Sequence, residues 1–513
     1  MNSVVHRGGN GIAVVQAGSL HHSFRRDAVA MPAGFRLICC LMLLASAQLA
    51  LAGTWYVAPN GDDSAGDGSA AHPWKTIRHA TARAPDEQPT ILLRDGLYAD
   101  GQSATRAFTR TCVVRAENPY RARLSPAAGQ IRALSCYGGA NITFQGLEIC
   151  GSGEGKGEYL VHVCMPTAHH LIFQDCIIHD GYGNDMVKIN DGAHDIGFRR
   201  CVFYNPTDHE GDQHLDINTV TDIVIEDSIL FDDYAGSQRV GAHKGQGFIV
   251  IKNSGSTPDV TCRIAVRRCI FLNFDGRPDQ AFLLLGEDGK PFYEAQKVTI
   301  ENNLFIHNSP IRTWGTLLLK GGLRDISVRA NTVVGHPAVK YSGAFAAVCL
   351  CIGKNPPMSD IRLCNNIWCD DTGQMPRLTI SGSKTFAAGS QPAMQNNLYW
   401  NGGKPIPTET SDTLVPERDS RKVLADPRLP TFDAVNGLVP PRWDAAKGQF
   451  VSGQKTIGGE FEHLVLRYAV PAAGSPALGA ADPATMPADD ILGTPRGDSP
   501  DIGCYQAVKA GKP

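Results

Sequence analysis

The sequence lacks the features of a nucleic-acid binder, a membrane protein or a helical repeat array. Its net charge is −3, so there is no basic excess to neutralise phosphates. Aromatic residues make up only 7% of the chain. After residue 52 no apolar run is long enough to span a bilayer. No helical period connects the strand-like segments, which disfavours leucine-rich and ankyrin-type repeats. A charged ligand would therefore need a local site rather than a global charge.

The cysteines follow neither a disulfide pattern nor a zinc pattern. The chain holds 15 of them, yet it is far longer than the small secreted domains that depend on disulfides. No C-x-x-C pair recurs with zinc spacing. Most cysteines fall at core positions of the predicted strands. We therefore expect buried thiols for the majority, with one or two disulfides as an alternative.

The N-terminus predicts export. Arg36 precedes the apolar run 37–49, and Ala50-Leu51-Ala52 forms an A-x-A cleavage site. The run is too short for a stable membrane anchor, so we expect a signal peptide that is cut after Ala52. We interpret residues 1–30 as sequence that precedes a true start at Met31. The predicted location is the periplasm or the exterior of a bacterial cell.

What the sequence has in quantity is an imperfect repeat, supported by 54 glycines and 32 prolines that suit frequent turns. Each unit has a small or polar residue, then apolar residues, then usually Asn, Asp or His. The predicted anchors are Cys176, Cys201, Ser228, Cys269, Asn303, Thr332, Asn366 and Asn397. Their spacing is that of one solenoid coil with loops of variable length. A second strand with in-and-out alternation precedes most anchors, so each coil holds at least two strands.

These repeats predict an all-β parallel β-helix in which Cys and Asn stack as ladders inside the coil, ~4.8 Å apart. We expect an N-terminal cap, because an open solenoid end exposes unpaired strand edges. We predict an N-terminal extension with signal peptide over 1–52 and a cap with the first coil over 53–110. The coils follow over 111–401, and an irregular C-terminal tail over 402–513 packs on them.

The two ends and the coils together resemble the right-handed parallel β-helix family of bacterial exported proteins. The opening TWYVAPNGDD and the closing GSPALGA and SPDIGCYQ look like that family's terminal segments. The resemblance covers nearly the whole mature chain and implies the fold. It implies much less about function, because such coils host lyases, hydrolases, epimerases and adhesins.

Residues 184–252 are similar to the active region of the ninth polysaccharide lyase family, the calcium-dependent pectate lyases of the β-helix class. The segment NDMVKIN supplies Asp185, GDQHLDIN supplies Asp212 and Asp216, and GQGFIVIKN supplies Lys252. The resemblance implies that these acids, with Gln213, hold Ca²⁺. Three carboxylates with amide or water oxygens suit that hard cation.

The chain departs from the family's pattern at two positions. Gln213 stands where the family has the second acid of a pair. Ile249 stands where the family has its lysine, and Lys252 follows three residues later. At these two positions the chain offers a neutral amide in place of an acid and a lysine displaced along the strand.

Strand alternation predicts which side chains share the outer face. With the apolar residues inward, Lys188 and Asp216 face out and stack on adjacent coils. The same alternation places Phe248, Val250 and Lys252 on the outer face. Carboxylates and lysines would then share one sheet surface.

This set of residues fits β-elimination from a uronate, in which a cation binds the sugar carboxylate while a base removes the proton on carbon five. Lys252 or Lys188 is the predicted base, provided that its surroundings lower its pKa. Lys188 has a second interpretation as the salt-bridge partner of Asp216. The predicted substrate-binding residues are Arg239, His243, Lys244 and His214. We expect a monomer that cleaves an acidic polysaccharide.

Three other functions stay open at this stage. A glycoside hydrolase on the same fold would need two carboxylates about 5–10 Å apart, which Asp185, Asp212 and Asp216 could supply. An epimerase would return the abstracted proton to the opposite face. A non-catalytic polysaccharide-binding or surface protein would use the long face alone, since Asp also caps turns and a strand Lys is usually solvated.

Overall fold

The computed structural model describes residues 53–127, 129–151, 158–207, 212–239, 245–277, 279–309, 313–337, 343–390 and 392–507. The chain divides into two units after Leu51, and the described residues belong to the second, compact unit. The predicted signal peptide and the start at Met31 lie outside the described residues. His243 and Lys244 lie outside them as well.

Three long parallel sheets build the second unit, and successive coils add one strand to each. The first sheet has twelve strands: β1 Thr54–Val57, β2 Thr90–Leu93, β5 Ala107–Ala116, β8 Ala140–Gln145, β11 His169–Gln174, β14 His194–Arg199, β17 Thr221–Glu226, β20 Cys262–Arg267, β23 Ala295–Glu301, β26 Leu323–Arg329, β29 Ser359–Cys364 and β32 Ala393–Gln395. The second sheet has ten strands: β4 Gln102–Ser103, β7 Arg132–Tyr137, β10 Tyr159–Cys164, β13 Val187–Asn190, β16 Gln213–Asn218, β19 Gly247–Lys252, β22 Ala281–Leu285, β25 Gly315–Lys320, β28 Ala344–Leu350 and β31 Arg377–Ile380.

The third sheet again has twelve strands: β3 Gly96–Tyr98, β6 Ala122–Leu124, β9 Glu148–Cys150, β12 Ile177–His179, β15 Val202–Tyr204, β18 Ile229–Phe231, β21 Ile270–Leu272, β24 Leu304–His307, β27 Thr332–Gly335, β30 Ile367–Asp370, β33 Leu398–Asn401 and β34 Val423–Leu424. The remaining elements are the antiparallel pair β35 Trp443–Asp444 and β36 Gln449–Phe450, the helices α1 Ile77–Arg83, α2 Phe432–Asn436 and α3 Ile457–Tyr468, and two 3-10 helices at Ser383–Thr385 and Pro416–Arg418. This architecture confirms the predicted right-handed parallel β-helix, with three strands in a coil where at least two were expected.

The alternation of apolar and polar residues explains the strands. In β8, Ile142 and Phe144 are buried in the core, while Thr143 and Gln145 are only partly buried. The same inward position on the next two coils holds Phe173 and Phe198, whose rings stack in sequence. One continuous column of apolar side chains therefore fills the interior of the coil.

A tight turn ends each strand of the first sheet and begins the third sheet. One residue of each turn has positive φ, and it is usually Asp, Asn or Arg: Asp175, Arg200, Asp227, Arg268, Asn302, Ala330, Asn365 and Asn396. Asn and Asp tolerate this left-handed conformation better than most residues because their short side chains bond locally. The next residue in each coil points inward.

These inward residues form the predicted ladder. Cys269 donates its backbone N–H to Asn303 Oδ1 at 2.9 Å, and the Nδ2 group of Asn303 donates to Asn331 Oδ1 at the same distance. Asn331 in turn donates to Asn366, and Asn366 to Asn397. The anchor placed at Thr332 is therefore wrong by one residue, because Asn331 occupies the ladder position. The thirteen cysteines from Cys112 onward are free thiols, most of them buried.

The outer faces of the sheets differ. The C-terminal segment covers the third sheet, where Phe461 and Val465 of α3 belong to the same apolar cluster as Ile229 and Ile270 of the sheet. Polar side chains occupy part of the outer face of the second sheet. No helix among the described residues is long and apolar enough to cross a membrane.

Candidate functional site

The register of neighbouring strands brings polar side chains together on the outer face of the second sheet. His162 on β10 pairs with Lys188 on β13, and Lys188 pairs with Asp216 on β16. Asn218 pairs with Lys252 on β19. Lys188 and Asp216 face outward because the residues on either side of each belong to the core. The predicted register of these two residues is confirmed.

Lys188 lies between two carboxylates. Its Nζ is 3.2 Å from Asp185 Oδ2, and it donates a second hydrogen bond to Asp216 Oδ2. Only 3% of the Asp185 side chain and 2% of the Asp216 side chain are exposed. The structure thus shows Lys188 as the salt-bridge partner of Asp216, the second of its two interpretations.

This arrangement shifts the pKa of Asp185 and that of Lys188. Burial and the charge of Asp216 raise the pKa of Asp185 to about 8. Burial alone would lower the pKa of Lys188, but the carboxylates of Asp216 and Asp185 outweigh it and raise that pKa. At neutral pH Lys188 therefore keeps its proton, and Asp185 can carry one.

Lys252 has a similar environment. It donates to Glu287 Oε2, and its Nζ lies 3.9 Å from Asp216 Oδ2. Burial would lower the pKa of Lys252, but Asp216 and Glu287 together raise it. A lysine that removes a proton needs a lowered pKa. Both predicted bases thus lie where they hold their protons.

The predicted calcium ligands do not all meet at one point. Gln213 donates to Asp185 through Nε2, and Asp212 accepts a hydrogen bond of 2.9 Å from Thr207 Oγ1. Among the described residues, the carboxylates of Asp185, Asp212 and Asp216 do not bring one oxygen each within 4.8 Å of one another. An ammonium group already lies between two of them.

Two oxygens at this place do have the character of cation ligands. Gln213 Oε1 and Asp216 Oδ1 are buried and have no hydrogen-bond partner. Calcium takes six to eight oxygens at 2.3–2.6 Å, so two such atoms beside the ammonium of Lys188 do not fit a calcium cage in this arrangement. A calcium site formed by these residues stays a prediction.

His214 lies inside the coil rather than on the face where substrate contact was expected. Its Nε2 is 3.0 Å from the carbonyl oxygen of Phe231, its ring packs against Phe248, and 1% of the residue is exposed. Burial lowers the pKa of His214 to about 4. The expected outward position of Phe248 is also wrong, because Phe248 and Ile249 both belong to the core. At this corner two consecutive residues point inward.

Arg239 is held against the end of the third sheet. Its Nη2 donates to the carbonyl oxygen of Gly181 at 2.7 Å, and its guanidinium lies 4.2 Å from the centre of the Tyr182 ring. Only 7% of its side chain is exposed. In this position the side chain braces a loop, and substrate contact by Arg239, His243 or Lys244 stays a prediction.

A second group of polar residues on the same face did not emerge from the sequence. His162 Nδ1 lies 2.6 Å from Tyr137 Oη and 3.0 Å from Arg132 Nε. Its other nitrogen, Nε2, lies 2.9 Å from Asn190 Oδ1. The guanidinium N–H can only donate, so His162 Nδ1 is an acceptor and the ring is neutral. The Tyr137 hydroxyl then donates to the same atom and shares its one lone pair with the arginine.

The surroundings keep His162 in this neutral state. Burial lowers the pKa of His162, while the hydrogen bond with Asn190 raises it. The positive charges of Arg132 and Lys188 lower the pKa further. His162 is 7% exposed, whereas Tyr137 is only partly buried and 20% of the Arg132 side chain is exposed. A ligand on this face can thus reach the tyrosine and the arginine directly.

One signal in the sequence could have led to this group. In the segment YLVHVC, Val161 and Val163 alternate with His162 and Cys164 as in the later coils. The predicted anchors of the repeat begin at Cys176, and β7 and β10 precede that residue.

No protein-family model and no curated protein matches the chain. Among solved structures it is similar to the pectate lyase Pel9A, at 14% identity over 88% of this chain and 96% of that one, with a TM-score of 0.40. It is also similar to a lacto-N-biosidase from Eubacterium ramulus, at 12% identity over 76% and 70% of the two chains, with a TM-score of 0.47. A mannuronic acid specific lyase from human gut microbiota matches at 14% identity over 68% and 86%, with a TM-score of 0.42. Identities and TM-scores this low carry no argument about activity.

Proposed function

We propose that the chain acts outside the cytoplasm and cleaves an acidic polysaccharide by β-elimination on the outer face of the second sheet. One observation carries this proposal: the Tyr137 hydroxyl donates to the neutral ring of His162, with Arg132 and Lys188 next to that ring. To remove the proton on carbon five, which is next to the sugar carboxylate, an enzyme needs a group that accepts the proton and cations that stabilise the developing negative charge.

The reaction follows from these positions. Tyr137 Oη takes the proton from carbon five of the uronate as its own proton passes to His162 Nδ1. Arg132 and Lys188 offset the negative charge that spreads onto the sugar carboxylate. The bond between carbon four and the glycosidic oxygen then breaks, and a double bond forms between carbons four and five. The leaving oxygen takes a proton from Tyr137, and His162 returns its proton to the tyrosine.

In this proposal the two lysines act as cations rather than as bases. The carboxylates of Asp216 and Glu287 raise the pKa of Lys252, and those of Asp216 and Asp185 raise that of Lys188. Both ammonium groups stay protonated, each beside carboxylates of the chain itself. No step needs a metal ion, so the proposal predicts activity in the presence of a chelator.

Hydrolysis of a glycosidic bond is a second candidate, and a different observation favours it. Asp185 and Asp216 share one ammonium group, and burial with the charge of Asp216 raises the pKa of Asp185 to about 8. A protonated carboxyl beside an ionised one is the pair that glycosidases use. Hydrolysis would therefore depend on Asp185, and elimination on Tyr137.

The two reactions leave different products. We would incubate residues 53–513 with a panel of acidic and neutral polysaccharides, with added calcium or with chelator. Ultraviolet absorbance from an unsaturated uronate, lost in Tyr137→Phe, supports elimination. New reducing ends without that absorbance, lost in Asp185→Asn, would replace it with hydrolysis. Absorbance that appears only with calcium would contradict the metal-free route and favour the predicted calcium site.

A further inference from the structure

A histidine, a cysteine and a glutamate meet on the outer side of the third sheet, away from the polar face of the second sheet. Glu148 and Cys150 lie on β9, and His179 lies on β12 in register with Cys150. One ligand atom of each residue lies within 4.8 Å of the other two. Within the described part of the chain this is the only group of three His, Cys, Asp or Glu residues with that property.

The histidine of this group is held in the orientation that metal ligands need. His179 Nδ1 is 2.8 Å from Asp180 Oδ2, and Nε2 is 3.2 Å from Glu148 Oε1. Asn205 Nδ2 donates to the other oxygen of Asp180 at 2.8 Å, and the Tyr204 ring stacks on the imidazole. A carboxylate on the far nitrogen of a ligating histidine is the usual second shell of zinc sites.

The group is enclosed but not sealed. The exposed fractions are 12% for the His179 side chain and 5% for that of Glu148, and Cys150 is buried. The Asp180 side chain is 18% exposed and gives an ion a way in. Side chains this well enclosed have few other conformations, so they would lose little conformational entropy when an ion binds.

We propose that Glu148, Cys150 and His179 form a zinc site that ties β9 to β12. Thiolate, imidazole and carboxylate are the three ligand types that zinc takes, in tetrahedral geometry with bonds of about 2.0–2.3 Å. In such a site neighbouring ligand atoms are about 3.5 Å apart, which small side-chain rotations reach from the present spacing. Zinc displaces one proton from the Cys150 thiol and one from His179 Nε2, so the charge of the group does not change. A water molecule would fill the fourth position.

The test uses the full chain stripped of metal and titrated with Zn²⁺ and with Co²⁺. We expect one ion per chain, held against a competing chromophoric chelator, and a thiolate-to-cobalt absorption band in the near ultraviolet. X-ray absorption of the zinc form should show one sulfur at about 2.3 Å. Weak binding that the chelator abolishes, or binding without a sulfur ligand, would overturn the site.

Variants separate this site from adventitious binding. Cys150→Ser should remove the band and the ion, while Cys351→Ser, which removes the one exposed thiol among the described residues, should leave both unchanged. Asp180→Asn keeps all three ligands and should weaken zinc binding about 10–100-fold. Circular dichroism and the unfolding midpoint of each variant without metal control for misfolding. The opposite pattern, with the ion lost in Cys351→Ser and kept in Cys150→Ser, would assign the metal to the exposed thiol and refute the proposal.

Discussion

The Tyr137 hydroxyl oxygen lies 2.6 Å from His162 Nδ1, and His162 pairs with Lys188 on the next strand. Removing the hydroxyl in Tyr137→Phe should lower the elimination rate about 10²–10⁴-fold, the usual contribution of a proton-transfer group. The ring and its contact with Arg132 are kept, so KM should change much less than kcat. Steady-state kinetics on the best polysaccharide of the panel measure both.

Two further variants complete this comparison. His162→Gln should lower kcat by a similar factor, because the tyrosine proton then has no acceptor. His170→Gln, at an exposed position on the first sheet, is the matched control and should leave the rate unchanged. Equal rates in Tyr137→Phe and the parent chain would rule out Tyr137 as the proton-transfer group.

The pH dependence of the rate distinguishes the two candidate reactions. Burial lowers the pKa of His162 below its ordinary 6.5. The elimination rate should therefore be unchanged down to pH 6.5 and should fall only at more acid pH, where the ring gains a proton. Tyr137 has its pKa raised by burial, so no loss is expected as the pH rises through 8. Hydrolysis with Asp185 as the acid would instead decline through about pH 8, since its carboxyl loses its proton there. A profile of kcat against pH tests this difference.

Lys188 should also stabilise the fold, because it is the shared partner of two buried carboxylates. Removing one partner of a buried ion pair leaves uncompensated charge and costs about 3–5 kcal/mol. Lys188→Met should therefore shift the urea unfolding midpoint clearly downward at pH 7. Lys320→Met is the control, since Lys320 ends β25 of the same sheet and has no ion pair among the described residues. Equal midpoints for the two variants would contradict the role given to Lys188.

The asparagine ladder predicts a strong contrast between two interior substitutions. Asn366 accepts from the Asn331 backbone N–H and donates to Val328 and Asn397. Asn366→Ala leaves several buried groups without partners at about 1–3 kcal/mol each, so a large fall in the unfolding midpoint is expected.

Cys201→Ser should cost about 1 kcal/mol or less. The next coil already carries Ser228 at the equivalent position, where its hydroxyl donates to the Glu226 carbonyl. Similar losses in Asn366→Ala and Cys201→Ser would show that the ladder hydrogen bonds contribute little. Urea unfolding followed by tryptophan fluorescence is the measurement for both.

Much of the fold could be predicted because it depends on local patterns. Alternation within each strand and Asn or Asp at many of the tight turns are visible in the sequence, and so is the register of Lys188 with Asp216. The positions of His214 and Phe248 could not be predicted in this way. Strict alternation fails near the start of both strands, where His214 and Leu215, and Phe248 and Ile249, are buried in succession.

The chemistry of the face was harder to predict than its register. Whether a lysine acts as a base depends on the carboxylates around it. Asp185 is only three residues from Lys188, but Asp216 and Glu287 come from other coils and approach the lysines only in the folded chain. Tyr137 and His162 are 25 residues apart in sequence and meet because each coil returns to the same face. Such contacts depend on the number of residues in each coil. Loops of variable length change that number, so the sequence does not show which residues will be in register.

The measurement that tests the central claim most directly is cleavage in water labelled with heavy oxygen, followed by mass spectrometry of the products. Elimination adds no water, so the account predicts unlabelled oligosaccharides whose new non-reducing ends carry a double bond, formed with chelator present and lost in Tyr137→Phe. Labelled oxygen at each new reducing end would contradict the account and make hydrolysis the reaction of this face.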